Sequence, residues 1–371
     1  MQNFINFYNI NMKKENIEFL KKLVKTPSPT GEEEKAVEVF ADHMKKFATH
    51  QFTDYFNNCA FSALSKQSLK DESTRVMISG HLDELSYMIS AIEDSGICRI
   101  VRCSGEDRRV LPGLKLQVIT ESGELYPGIA SYKPIHVQTD KEYEAIAKVE
   151  DIYFDLGCTS KEEVESLGIR IGSRVVYDKG QEMLEYGPSG DFIVAPGLDD
   201  KIGVYITSEV LRRVDKDTLR DNNIDLWCVG MAEEETGLRG SRVAARKIDP
   251  DISIDIDVCP VTGNEYGVDP SKFGNIKFGK GVVIENGPGK SPRLVKKLIA
   301  IAKQYNIPYQ LGVCRAGGTN TAKIQENTWN CETTLLSIPN SNMHQPFEFC
   351  HWTDVEACID LLTRYIEDGN L

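Results

Sequence analysis

Residues 224–240 read IDLWCVGMAEEETGLRG, an apolar run that passes directly into three glutamates and turns at Gly237. Ile224 to Val229 has the texture of a buried strand. Glutamate is a poor strand former and a carboxylate is rarely buried alone, so packing does not explain Glu233, Glu234 and Glu235. One reading is a solvated acidic loop. The other is a carboxylate pair in which one member holds a metal ion and its neighbour moves protons. The rest of the chain decides between them.

The same junction recurs. Arg75 to Ser79 (RVMIS) reads as a strand and ends in GHLDE, residues 80–84. His81 follows that strand with Asp83 two residues on, and a carboxylate accepting the far ring N–H of a metal-bound histidine fixes its tautomer. In ISIDIDV, residues 252–258, Asp255 and Asp257 alternate on one face of a strand, where an apolar core would not tolerate them unpaired. Asp199 and Asp200 precede a helix expected over Ile202 to Val214, and one cap needs only one of them. His344 lies in SNMHQP, just after the strand Thr333 to Ile338. His351 sits beside the last helix cap and reads as structural. His43, on the polar side of an amphipathic helix, and His50, past its end, read as surface residues.

The remaining pattern is α/β. Asn16 to Lys25 is helical. Thr30 and Glu33 form a capping box before a helix burying Val37, Phe40, Ala41, Met44 and Phe47. Ser291 and Pro292 open another as N-cap and first helical residue, with Leu294, Val295, Leu298, Ile299 and Ala302 inward. A strand is expected near Tyr309 to Cys314, then a Gly-rich turn, AGGTN. The final helix begins at Thr353 with Glu356 as its capping box, burying Val355, Cys358, Ile359, Leu362 and Ile366. Between about Ile89 and Asp191 short strand-like runs alternate with turns, with one helical stretch, Ser160 to Leu167. This predicts a barrel-like β-domain at 89–190 inserted into an α/β domain made of 1–88 and 191–371.

At 371 residues and a net charge of −13, the chain has the composition of an ordinary globular protein and does not favour nucleic acid or an anionic membrane as partner. It contains no apolar run of about 18 residues, and its first residues lack the pattern of a secretory signal. Met12 is an alternative start. Ten cysteines are scattered singly without a CxxC pair, which predicts free thiols in a reducing, cytoplasmic compartment.

His81, Asp199, the Glu234–Glu235 pair, Asp257 and His344 all fall at strand boundaries. In an open α/β sheet the carboxyl ends of parallel strands face one crevice. Two imidazoles and three carboxylates suit zinc, or cobalt or manganese, and exceed what one tetrahedral ion needs. Two ions sharing a carboxylate use them all and leave one glutamate as general base.

With these residues in hand, the chain resembles the M42 family of metallo-aminopeptidases over about residues 14–368. The matching stretches are PSPTGEE, GHLDELSYMI, VLPGLKLQV, KPIH, VEDIYFDLGCTSKEEVESLGIRIGS, GLDDKIG, EEETGLRG, PDISIDIDV, FGKGVVI, AGGTNTAKI and SIPNSNMHQPFE. The resemblance implies a zinc-exopeptidase-like α/β/α sandwich with a mixed sheet and an inserted β-barrel-like domain that serves as lid and assembly surface. It implies two divalent ions, Zn²⁺ before Co²⁺ or Mn²⁺, short peptides as substrates, and a tetrahedral homododecamer. His81 and His344 are then ligands of different ions, Asp199 bridges, Glu235 and Asp257 complete the set, Glu234 is the general base and Asp83 backs His81. Glu233 is an extra acid whose charge raises the pKa of the base. Cys103-Ser-Gly-Glu-Asp replaces a more aromatic stretch, and Asn320, Asn340 and Ser341 depart from the family pattern, which bears on substrate preference. Rival readings are a carboxypeptidase or N-acyl amino-acid deacylase on the same core, a glycosidase, and an inactive metal-stabilised scaffold.

Overall fold

The computed structural model describes residues 14–70, 72–180, 182–313 and 319–371. Helices α1 (Lys14–Lys25) and α2 (Glu34–Met44) lead into strands β1 (His50–Thr53), β2 (Cys59–Ser62) and β3 (Thr74–His81). Six strands then follow: β4 (Tyr87–Ile92), β5 (Cys98–Arg102), β6 (Lys115–Ile119), β7 (Leu125–Ser131), β8 (Tyr153–Asp155) and β9 (Arg174–Tyr177), with short helices α3 (Asp140–Glu144) and α4 (Lys161–Ser166) among them. Beyond them lie β10 (Met183–Tyr186), β11 (Phe192–Ala195), α5 (Leu198–Arg213), α6 (Lys216–Asp221), β12 (Ile224–Met231), α7 (Arg239–Ile248) and β13 (Ile252–Pro260). The chain finishes through α8 (Pro270–Phe273), β14 (Val282–Asn286), α9 (Pro292–Gln304), β15 (Tyr309–Val313), α10 (Asn320–Glu326), β16 (Glu332–Asn340), β17 (Glu348–His351) and α11 (Trp352–Glu367).

Strands β4 to β9 close into a barrel in the order β4-β5-β8-β7-β6-β9. Its interior is a separate apolar core containing Ile89, Ile100, Leu116, Val118, Phe154 and Val175. The larger sheet is mixed and runs β1-β2-β12-β3-β13-β16-β14-β15. Its four central strands, β12, β3, β13 and β16, are mutually parallel. Helices cover both faces, so these strands are buried along most of their length, polar residues included. The core holding α1, α2, α5, α9 and α11 lies on one face, and α7 and α10 pack on the other. The α/β sandwich with a barrel is therefore as expected.

Several local expectations are corrected. Glu33, not Thr30, is the N-cap of α2, and no side chain closes a capping box there. The Thr30 hydroxyl instead meets that of Thr236 at 3.1 Å, and the Glu33 carboxylate accepts the Gly31 N–H. His43 is buried and stacks on Phe19 with ring centroids 3.8 Å apart, because α1 covers the helix face that looked polar. Helix α11 begins one residue earlier than expected, and the His351 ring caps it by accepting the Thr353 N–H. Helix α3 adds a second helical stretch among the barrel strands. Ser291 caps α9 with Pro292 following, as expected. Nine cysteines are free thiols; Cys314, Met12 and most of the AGGTN turn lie outside the described residues. No helix of the described residues is long and apolar enough to cross a membrane.

One close approach sets the geometry of the site. A Cβ on Gly80, in β3, would lie 2.6 Å from backbone atoms of Gly203 and Val204 in α5, and one on Gly203 would lie 2.4 Å from the Asp200 carboxylate. The pair of glycines lets α5 sit against β3, which brings Asp199 to His81. Gly80→Ala should wedge strand from helix and destabilise the fold by about 1–3 kcal/mol, the usual effect of overpacking. An unchanged thermal unfolding midpoint would contradict this.

Candidate functional site

The parallel strands deliver the site residues to one edge of the sheet. Register places His81 of β3 beside Met231 of β12, and Asp255 of β13 beside Ser79 of β3. Glu234 and Glu235 follow β12, Asp257 lies near the end of β13, and His344 lies in the turn after β16. Asp199 and Asp200 enter from the first turn of α5, where both have non-helical φ/ψ and are joined by a cis peptide. The crevice expected at the strand ends is where these side chains meet.

Asp199 is the centre. Its Oδ1 lies 3.1 Å from His81 Nε2 and its Oδ2 lies 3.4 Å from His344 Nε2. Glu235 Oε1 stands 3.8 Å from the same His344 nitrogen. Ligand atoms of His81, Asp199 and Asp257 lie within 4.8 Å of one another, and so do those of Asp199, Glu235 and His344. The two triplets share Asp199. Glu234 approaches His81 and Glu235 within the same limit.

Both imidazoles are oriented through Nδ1. His81 Nδ1 is 3.0 Å from the Asp83 carbonyl oxygen and 3.6 Å from its carboxylate. His344 Nδ1 is 3.0 Å from the Gly105 carbonyl oxygen. A carbonyl only accepts, so each Nδ1 carries a proton; Nε2 faces Asp199, donates to it while the ring is doubly protonated, and is the nitrogen a cation would take.

The backbone of the site is held by a further set of buried acids. Asp83 accepts the N–H groups of Glu234 and Glu235, each at 3.0 Å. Asp200 accepts those of His81 and Gly203, at 3.0 and 3.1 Å. Glu348 accepts those of Asp199 and His344, at 2.8 and 2.9 Å. The geometry distinguishes the adjacent aspartates: Asp199 faces the histidines and Asp200 faces backbone amides. It also separates Asp257, in the first triplet, from Asp255, whose Oδ1 accepts from the Ser79 hydroxyl at 2.6 Å. Glu348 was not singled out in the sequence, although it is a buried acid in strand β17, four residues after His344. Gly105 lies in the Cys103-Ser-Gly-Glu-Asp stretch that the sequence tied to substrate preference and not to the metal ligands; the fold corrects this, because it brings the Gly105 carbonyl to His344.

Glu233 keeps the role of a neighbour. Its carboxylate pairs with Arg239 at 3.2 Å, and its N–H is accepted by Glu33. Burial pushes Glu234 well above the ordinary carboxylate range, and the neighbouring acids that add most to this are Asp257, Glu235 and Asp83, Glu233 not being among them. Below the site, the buried Glu84 carboxylate takes Lys179, Lys201 and the Ser28 N–H. Burial alone would raise Glu84, but the two ammonium groups outweigh it and hold it below its ordinary value. Burial lowers Lys201 to about 7. This buried triad ties the segment leaving the barrel to the loop after His81.

The donor set fits divalent cations. Burial pushes Asp257 and Glu348 up to about 8, with Asp199 adding to both, and drives Glu235 well above its ordinary range. Burial would raise Asp199 as well, but its hydrogen bonds with His344 and His81 pull it below the usual range. The Asp199 hydrogen bond raises His344 to about 10. Glu235 Oε1 is buried and has no hydrogen-bond partner. Without a cation, such a cluster can only be neutralised by protons.

A sign follows for stability. Between their ordinary values of 4.5 or below and about 8, Asp257 and Glu348 hold more protons folded than unfolded. The metal-free fold therefore loses stability as pH rises through that window. The contribution of His344 acts the same way, complete below 6.5 and lost on rising through about 10. A bound cation replaces those protons. The difference in melting temperature between cation-loaded and stripped protein should widen from about pH 5.5 to about pH 7.5. A constant or narrowing difference, read by scanning calorimetry, would contradict this.

Comparison with known proteins gives a consistent result. Residues 62–361 match the family model described as M42 glutamyl aminopeptidase. The chain is 30% identical to the lysyl aminopeptidase of Pyrococcus furiosus, over 95% of this chain and 96% of that one. The aminopeptidase APDkam598 of Desulfurococcus kamchatkensis superposes with a TM-score of 0.85 at 29% identity, covering 95% of each chain. The TET1 peptidase of Pyrococcus horikoshii, which can assemble into a tetrahedron or a large octahedral shell, superposes with a TM-score of 0.79 at 27% identity, over 94% of this chain and 98% of that one.

Proposed function

The chain belongs to the M42 aminopeptidase family, and from that premise we propose that it removes the N-terminal residue from short peptides with the help of two divalent metal ions. The observation that carries the two-ion reading is the pair of donor triplets sharing Asp199. His81, Asp199 and Asp257 would hold one ion; Asp199, Glu235 and His344 would hold the other. Imidazole and carboxylate donors suit zinc, with cobalt or manganese as substitutes. The carboxypeptidase, deacylase, glycosidase and scaffold readings gain no support from the family match.

When bound, such ions acidify a water and polarise the scissile carbonyl. The chain's own residues do the rest. Glu234 takes a proton from the attacking water and delivers it to the leaving amine. Burial, with Asp257, Glu235 and Asp83 close by, raises its proton affinity, which suits a group that must hold the proton between those two transfers. Asp83 grips the backbone of the Glu234–Glu235 pair and so orients base and ligand together. Asp200 and Glu348 do the same for the two histidines and Asp199.

We propose further that the barrel serves as lid and assembly surface and that the chain forms a homododecamer in the cytoplasm. The free thiols among the described residues support the compartment, and the dodecamer formed by PhTET1, 27% identical to this chain, supports the assembly.

A panel of aminoacyl-nitroanilides, assayed with and without chelator and with zinc or cobalt restored, tests the activity. Hydrolysis abolished by chelator and restored by metal is expected, and chelator-insensitive hydrolysis would refute the metal requirement. Glu234→Gln should bind metal and fold as the parent does while losing about 10²- to 10⁴-fold in kcat. Parental turnover in that variant would remove Glu234 from the mechanism.

A further inference from the structure

The two histidines of the site are oriented from different parts of the molecule. His81 Nδ1 meets the carbonyl of Asp83, two residues along the same loop. His344 Nδ1 meets the carbonyl of Gly105, 239 positions away, between β5 and β6 of the barrel. The barrel loop also receives a second contact from the same turn, since the Asp107 N–H donates to the His344 carbonyl at 3.4 Å.

That loop is anchored from inside. The Cys103 N–H donates to the Ser86 carbonyl at 2.9 Å, and the Ser86 N–H donates to the Ser104 hydroxyl oxygen at 3.2 Å. The Ser104 hydroxyl in turn donates to Glu106 Oε1 at 2.8 Å, and Glu106 is only 2% exposed. Ser86 lies on the segment that joins β3 to β4, so the clamp runs from the end of the His81 strand into the barrel loop. Gly105 sits at the point of closest approach. A Cβ there would lie 3.1 Å from His344 Nδ1 and 3.2 Å from Cε1, tighter than ordinary contact. A side chain there would force the ring to give way by a few tenths of an ångström.

We propose that Gly105, clamped by Ser104 and Glu106, is a positioning residue that makes the barrel part of the metal centre by fixing the tautomer and orientation of His344. The inference rests on the two-ion reading above and adds an asymmetry to it. The His81 half of the site is oriented within the α/β domain, whereas the His344 half depends on the barrel loop. Displacing the loop should then weaken one ion and spare the other. Partners of metal-bound histidines tune affinity by about 10- to 100-fold, which sets the expected size of the effect.

The test is calorimetric titration of stripped, intact protein with zinc, with cobalt absorption spectra to identify each ion, in Gly105→Val, Ser104→Ala and Ser104→Thr. His81→Ala and His344→Ala serve as references. Far-UV circular dichroism and oligomer size establish that each variant is folded. Gly105→Val should lower the affinity for one ion by about 10- to 100-fold, the same ion that His344→Ala loses, and leave the other at the parental value. Ser104→Ala should weaken that same ion, and Ser104→Thr, which keeps the hydroxyl, should restore it. Parental affinity for both ions in Gly105→Val and Ser104→Ala, or equal weakening of both, would overturn the inference while leaving the two-ion reading intact. A parent that binds fewer than two ions would overturn both.

Discussion

The structure is organised around like charges held too close together in a place with little water. Asp199, Asp257, Glu234 and Glu235 converge on two imidazoles, and Asp83, Asp200 and Glu348 stand directly behind them. Burying one unpaired carboxylate is costly, and burying several side by side is feasible only with compensating positive charge. Protons can supply it, as the raised affinities of Asp257 and Glu348 show, and divalent cations can supply it at higher pH. The site is therefore an arrangement whose charge is completed from outside the chain.

Holding these groups in place falls to backbone amides. Asp83, Asp200 and Glu348 each accept two main-chain N–H groups, and together these include the amides of His81, Asp199, Glu234, Glu235 and His344. Each acid thereby links segments distant in sequence: the loop after β3 to the loop after β12, the first turn of α5 to β3, and β17 to both α5 and the turn after β16. A network of this kind is rigid only when every member is in place. It converts the close packing of Gly80 on Gly203 into defined positions for the donor atoms. Order in the ligands follows from order in the residues behind them.

The architecture was largely legible in the sequence because periodicity and strand ends are local properties. Buried parallel strands read as apolar runs, and the polar residues at their ends stood out against them. His81, Glu234, Glu235, Asp257 and His344 meet in the fold because they lie at one edge of the sheet, and the first turn of α5 brings Asp199 to them. What the sequence hid was set by tertiary contact. His43 looked exposed because the helix that covers it, α1, contributes Phe19 from another segment. The capping-box pattern at Thr30 and Glu33 was overridden because Glu33 turns to Gly31 and Glu233 instead. Glu348 carries no motif of its own; it gains meaning from the two amides that meet it. Gly105 is a glycine in a loop until the barrel closes over His344.

The central claim is that one carboxylate, Asp199, joins two cation sites that otherwise use different residues. Metal content of the intact, folded Asp199→Asn variant, measured by calorimetric titration and elemental analysis, tests it most directly. If Asp199 is shared, the variant loses tight binding of both ions together while keeping its fold. Retention of either ion at parental affinity would show that Asp199 serves a single site and would contradict the account.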